Sequence, residues 1–247
     1  MTLTIGKIEL KFSVFSIILY LVLVAILISL GFWQLGRAEQ KAGFLERERE
    51  SEKKGLFTLK PDLKVDLSVA RYRKIKLTGH YDAKHQYLID NQIINGQVGY
   101  FVMTPFKIKG LNKTVLVNRG WVKLNKDRRV LPDVTIVNLK TTITGRINHF
   151  PVVGIRLKGA ETPTKNWPSV VQVVNSDVLS EKLAYPLYPF QVELDHSLKD
   201  GYIRIWKEKS TMPAEKHTAY AVQWFGLALT LTVLFIGISR TTNDRTI

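Results

Sequence analysis

The sequence predicts a membrane protein in which two transmembrane helices anchor a mainly antiparallel β domain, a small barrel or sandwich-like sheet with peripheral helices. Three observations predict it. Two uncharged apolar runs cover 12–33 and 219–238. Short Val-, Ile-, Thr- and aromatic-rich runs recur between them, and turn chemistry separates those runs.

Each apolar run matches the ~20 residues that a helix rising ~1.5 Å per residue needs to cross a hydrocarbon core of ~30 Å. The first is longer than a signal-peptide h-region, and Ser29-Leu30-Gly31-Phe32-Trp33 is no small-x-small cleavage site. It reads as a retained anchor. The short stretch before it leaves no room for an Arg- and Ser-rich presequence, so a bacterial inner membrane is expected. The expected organisation is a tail over 1–11, a transmembrane helix over 12–35, a charged helical stalk over 36–55, a β-rich domain over 56–216, a second transmembrane helix over 217–239 and a tail over 240–247.

The stalk alternates charges, with Glu50 and Lys54 at a favourable i,i+4 spacing, and reads either as a plain solvated helix or as a binding face. Strands are expected over 74–77, 87–89, 98–104, 114–117, 141–147 and 190–194. Asn95-Gly96 predicts a type I′ hairpin because both residues tolerate positive φ. Gly110 and Asn112 predict a second turn over 109–113. Asn175 is expected to cap a short helix through Ala184, with Val178, Leu179 and Leu183 inward and Pro186 ending it.

The formal charge is +15, and each tail carries +1, which leaves +13 on the central part. That excess suits an anionic bilayer, an acidic protein or nucleic acid. Nucleic acid is disfavoured because the β runs lack a regular series of basic and aromatic platform residues. The absence of cysteine excludes disulfides, thiolate metal sites and thiol catalysis. Basic residues beside the spans, Arg37, Lys41, Lys207, Lys209 and Lys216, favour a cytoplasmic domain if counted naively, but long translocated domains escape that count. No Gly-rich phosphate loop, Gly-x-Ser-x-Gly elbow or His-Glu-x-x-His pair is present, and no enzyme is expected.

His80 and His85 lie five apart at a strand boundary, where alternation points them to opposite faces and argues against a shared metal. His149 and His196 receive no role. His217 stands at the N-terminal end of the second span, after Lys216. Helix-terminal amides and the ammonium both disfavour imidazolium, so a neutral ring able to ligate a metal is expected. With Tyr220 or Ala221, Trp224, Ala228 and Leu231 it forms one helical stripe. That stripe fits either a porphyrin seat with His217 as axial ligand or an ordinary interfacial belt. Trp33-Gln34 closes the first span and Gln223-Trp224 opens the second. An amide in lipid is costly unless paired, which predicts a Gln34–Gln223 contact or a bound polar group at a helix–helix junction.

The stretch Leu30-Gly31-Phe32-Trp33-Gln34-Leu35-Gly36-Arg37 with Lys41 resembles the surfeit locus protein 1 family. So do Gly99-Tyr100-Phe101-Val102-Met103-Thr104-Pro105, Val115-Leu116-Val117-Asn118-Arg119-Gly120-Trp121-Val122 and His217-Thr218-Ala219-Tyr220-Ala221-Val222-Gln223-Trp224-Phe225, with Gly145-Arg146 as a weaker element. The resemblance implies an assembly factor for haem–copper cytochrome c oxidase that binds haem a and assists its insertion, with the central domain periplasmic. The implied partners are the catalytic subunit of the oxidase, a haem a synthase and membrane lipid. The family's histidine maps onto His217 and its tryptophan onto Trp224. Arg119 is either a contact to a haem propionate or part of a salt bridge inside the β domain beside Gly120. The alternative function is a cofactor-free membrane scaffold that stabilises an oxidase subunit.

Overall fold

The computed structural model describes residues 2–5, 8–11, 13–61, 63–152, 158–206 and 212–241. In chain order the elements are β1 (Thr2–Ile5), β2 (Ile8–Lys11), α1 (Val14–Lys53), α2 (Leu67–Ala70), β3 (Lys74–Tyr81), β4 (Tyr87–Ile94), β5 (Gln97–Ile108), β6 (Thr114–Lys123), β7 (Lys140–Asn148), β8 (Ser169–Val171), α3 (Ser176–Leu183), β9 (Leu187–Leu194), α4 (Ala214–Ser239) and β10 (Arg240–Thr241). They fall into two compact units, Met1–Arg47 with Lys209–Ile247, and Glu48–Glu208.

In the first unit, α1 and α4 are both long and apolar enough to cross a membrane. Ser13 starts α1 by accepting a hydrogen bond from the Ser16 amide at 3.0 Å, satisfying a donor that the first turn leaves open. The expected tails instead contain strands. β1 and β2 pair antiparallel, and β10 pairs with β2, consistent with β-branched Thr2, Thr4, Ile5 and Ile8. Lys207, Lys209, Asp244 and Arg245 lie outside the described residues.

The second unit holds a seven-stranded sheet in the order β3-β7-β9-β6-β5-β4-β8, and β3 also pairs with β5. That last pairing closes β3, β7, β9, β6 and β5 into a small barrel. One edge of the twelve-residue β5 serves two partners, β4 along 97–103 and β3 along 106–108. All six expected strands are present, but the sheet is mixed rather than mainly antiparallel, because β6–β9 and β4–β8 run parallel. Parallel neighbours arise from crossovers rather than tight turns, so local turn residues do not announce them. β8 was not expected at all.

Local chemistry explains the turns. Asn95 and Gly96 have φ of 51° and 74°, and the register pairs Ile94 with Gln97, as the I′ hairpin requires. Gly110 turns the second hairpin at φ 79°. Asn175 caps α3 by accepting from the Asp177 amide at 3.0 Å, and the helix closes on Ala184 in the left-handed region. Alternation on β3 buries Ile75, Leu77 and Tyr81 and exposes Lys74 and Lys76. The barrel core gathers Ile75, Phe106, Val117, Ile147, Phe190 and Val192, all fully buried, each contributing about 1.5–3 kcal/mol by leaving water.

Candidate functional site

Within the first unit the two long helices pack antiparallel, and their contacts occur at three levels. Tyr20 stacks on Phe235 with ring centroids 4.3 Å apart, and its hydroxyl lies 3.0 Å from that of Thr232. Further along, Gly31 is buried under Phe225: a Cβ placed on it would come within 2.5 Å of that ring. The absence of a side chain permits this approach, the device by which small residues join apolar helices. Phe32 meets Phe225 edge-on at 5.5 Å.

At the third level, Nδ1 of His217 lies 2.7 Å from Oε1 of Gln34. An amide oxygen only accepts, so this contact makes Nδ1 the donor and leaves Nε2 as the nitrogen it does not engage. The imidazole is thereby fixed in orientation and tautomer, the arrangement that prepares a histidine for a metal. Gln34 therefore pairs with His217 and not with Gln223, which is exposed on another face of α4. The physical reason is periodicity: buried Ala221 and Ala228 mark the α4 face turned to α1, and Gln223 is off that face.

Trp224 lies two turns beyond His217, half-buried, and its indole Nε1 is buried without a hydrogen-bond partner among the described residues. An N–H in that state is costly unless an acceptor reaches it. Tyr220 is 46% exposed and Trp33 53% exposed, so neither joins the Gln34–His217 contact. Trp33 instead receives the Arg37 guanidinium, 5.6 Å from its ring.

Arg119 lies inside the other unit. It is 2% exposed in the barrel unit. Its Nε donates to the Asp200 carbonyl at 2.7 Å, and its Nη1 donates to Gln86 Oε1 and the Val134 carbonyl, both at 3.0 Å. Its guanidinium also lies 5.1 Å from the Tyr202 ring centroid. Burial lowers its pKa, and Tyr202 and Asp200 partly offset that. The structural alternative places Arg119 inside the β domain, and it is there, but neutral acceptors hold it in place of a salt bridge. Gly120 beside it has φ of 115°, and a Cβ there would lie 2.8 Å from the Ile203 carbonyl, so the strand needs glycine where the returning chain crosses.

Among the other histidines, His80 is exposed and His85 is tied to Asp82 at 2.8 Å. No group of three or more His, Asp or Glu able to hold a metal exists among the described residues. Glu48 and Glu52 of α1 and Glu193 of β9, none of them an expected site residue, converge on Arg146. The available signal was two like charges four apart near a helix C-terminus, where both mutual repulsion and the helix dipole oppose them.

The comparisons agree on one group. The model of the SURF1 family matches residues 21–229, a range that begins within α1, covers the whole barrel and ends within α4. A SURF1-like protein of Rickettsia bellii is 28% identical over 233 residues, covering 89% of each chain. Surfeit locus protein 1 of Xenopus tropicalis is 27% identical, over 84% of this chain and 70% of its own. The cytochrome oxidase assembly protein SHY1 of Saccharomyces cerevisiae is 34% identical over 110 residues, which is 42% of this chain and 26% of its own. The motifs that carry the resemblance occupy the α1–α4 junction and the adjacent strands β5 and β6 of the barrel, and this chain belongs to the SURF1 family.

Proposed function

We propose that this chain is a non-catalytic membrane factor in the assembly of cytochrome oxidase and that it holds haem a for the oxidase's catalytic subunit. The assembly role is supported by family membership and by the SHY1 relative, a cytochrome oxidase assembly protein. Two helices able to cross a membrane and the bacterial relatives support a bacterial membrane as its place. That this is the inner membrane, with the barrel periplasmic, is part of the proposal, as the family resemblance implies.

The observation that carries the haem reading is the Gln34–His217 contact. The fit rests on this chain's own atoms: an oriented imidazole with Nε2 left to ligate, and the buried, unpartnered indole N–H of Trp224 on the same helix. Haem a would supply an iron that takes a nitrogen donor, and His217 is the residue that would hold it, with Trp224 on the same helix as a further contact. Gln34 holds the proton on Nδ1. The haem a synthase and the catalytic subunit are the partners on either side of such a transfer.

The test is the optical spectrum of the membrane-extracted protein from cells that make haem a. The wild type is expected to carry the haem a bands and His217→Ala to lose them. Unchanged haem content in the variant overturns the ligand assignment. A cofactor-free scaffold is favoured by one observation, namely that Gln34 and His217 already satisfy each other across the helices. Copurification of the catalytic subunit from cells unable to make haem a would select the scaffold.

A further inference from the structure

The two ends of the barrel unit meet on one guanidinium. Nη1 of Arg146 lies 2.7 Å from Glu48 Oε1 and 3.4 Å from Glu52 Oε1, both on the last turns of α1. Nη2 donates to the carbonyl of Trp206, the last described residue of that unit. The remaining donor, Nε, lies 2.5 Å from Glu193 Oε2 on β9. Glu193 Oε1 accepts from Asn148 Nδ2 at 2.9 Å, so the carboxylate is engaged at both oxygens. The side chains of Arg146, Glu48 and Glu193 are 13%, 15% and 7% exposed. Burial opposes the charge on Arg146, yet Glu193 and Glu48 raise its pKa.

Local chemistry argues that this contact is built. Glu48 and Glu52 repel at i,i+4, and both sit at the helix end where the dipole disfavours anions. Each would be better replaced on helical grounds alone. The same spacing that makes them repel puts both carboxylates on one face, within reach of one planar fork. Arg146 follows Gly145, where a Cβ would lie 2.7 Å from Val192 Cγ1, so the pair of residues packs the strand and presents the fork together.

We infer that Arg146 is a positioning residue for oxidase assembly: it clasps the end of α1 and the chain at Trp206 to β9, so that the two ends of the barrel unit are held at one point. The inference rests on the assembly reading for its function, but the clasp has its own structural readout. The chain has no cysteine, so paired spin labels can be placed at Arg49→Cys and Asn112→Cys in the full-length protein in lipid nanodiscs.

The background protein is expected to give one narrow distance. Glu48→Gln with Glu52→Gln leaves the buried Arg146–Glu193 pair intact. This variant is expected to keep the barrel's thermal transition, broaden the distance and lose assembled oxidase in cells lacking the native copy. Arg146→Lys keeps the charge without the fork and is expected to broaden the distance as well. A distance that stays narrow in the Gln variant overturns the clasp, and full oxidase assembly despite a broadened distance overturns its positioning role. Failure of the wild-type gene to support assembly overturns the functional reading itself, whatever the distances show.

Discussion

Gln34 and His217 stand 183 positions apart in sequence and 2.7 Å apart in space, and this one hydrogen bond decides which imidazole nitrogen is open. Replacing Gln34 by Leu is expected to keep the helix pair but free the ring to rotate and change tautomer. Haem affinity is expected to fall about 10–100-fold, in the range for removing the partner that orients a metal-binding histidine. Titrating haem into the purified variant and following its bands checks this, and the deficit should be smaller than for His217→Ala.

Gly31→Leu is expected to separate α1 from α4, because even a Cβ at this position meets the Phe225 ring at 2.5 Å. Cysteines introduced at Tyr20 and Thr232, whose hydroxyls are 3.0 Å apart, should cross-link in the parent and lose efficiency in the Leu variant. Adding Phe225→Ala should restore part of the cross-link by making room.

Arg119→Met is expected to lower barrel stability by about 3 kcal/mol, because acceptors such as Gln86 Oε1 and the Val134 carbonyl lose a charged donor in a buried setting. The haem content of the folded fraction should not change. A selective loss of haem with unaltered melting would return Arg119 to the cofactor site.

Asp82 supplies the pH dependence. Burial pushes its pKa up, but hydrogen bonds from His85 and Tyr185, with Lys107 nearby, outweigh burial and hold it below the usual carboxylate value. A depressed folded pKa contributes stability that is complete above the unfolded pKa and is lost as pH falls through the folded one. Asp82→Asn should therefore cost about 1.5–3 kcal/mol at neutral pH and flatten the acid limb of the stability curve. Urea titrations of both proteins from neutral pH downward measure the difference, which should shrink in acid.

What was readable in the sequence is what short-range chemistry determines. The apolar spans, the Asn95-Gly96 hairpin, the Asn175 cap and the six strands each carry their reason within a few residues. The parallel pairs and the short β8 depend on where a distant segment lands, and no neighbouring residue encodes that. The site divides in the same way. Position next to the span marked His217 and Gln34 as junction residues, but their partnership depends on the rotation of each helix, so Gln223 looked equally suited. Arg119 stayed between a ligand and a structural role because its motif looks like a loop, whereas the strand it occupies is closed over by the chain at Asp200 and Tyr202. For Glu48 and Glu52 the stalk left a solvated helix and a binding face both open, because their counterion lies on β7, 94 positions or more away.

The order of the strands also sets a timetable for synthesis. β9 lies between β7 and β6, yet it is the last barrel strand to be made. Until Leu194 emerges, the nascent domain has two unsatisfied strand edges, an aggregation hazard of the kind that chaperones mask. A nonsense codon anywhere upstream of that residue would leave more than a shortened protein: an unclosed sheet with nothing to occupy the gap.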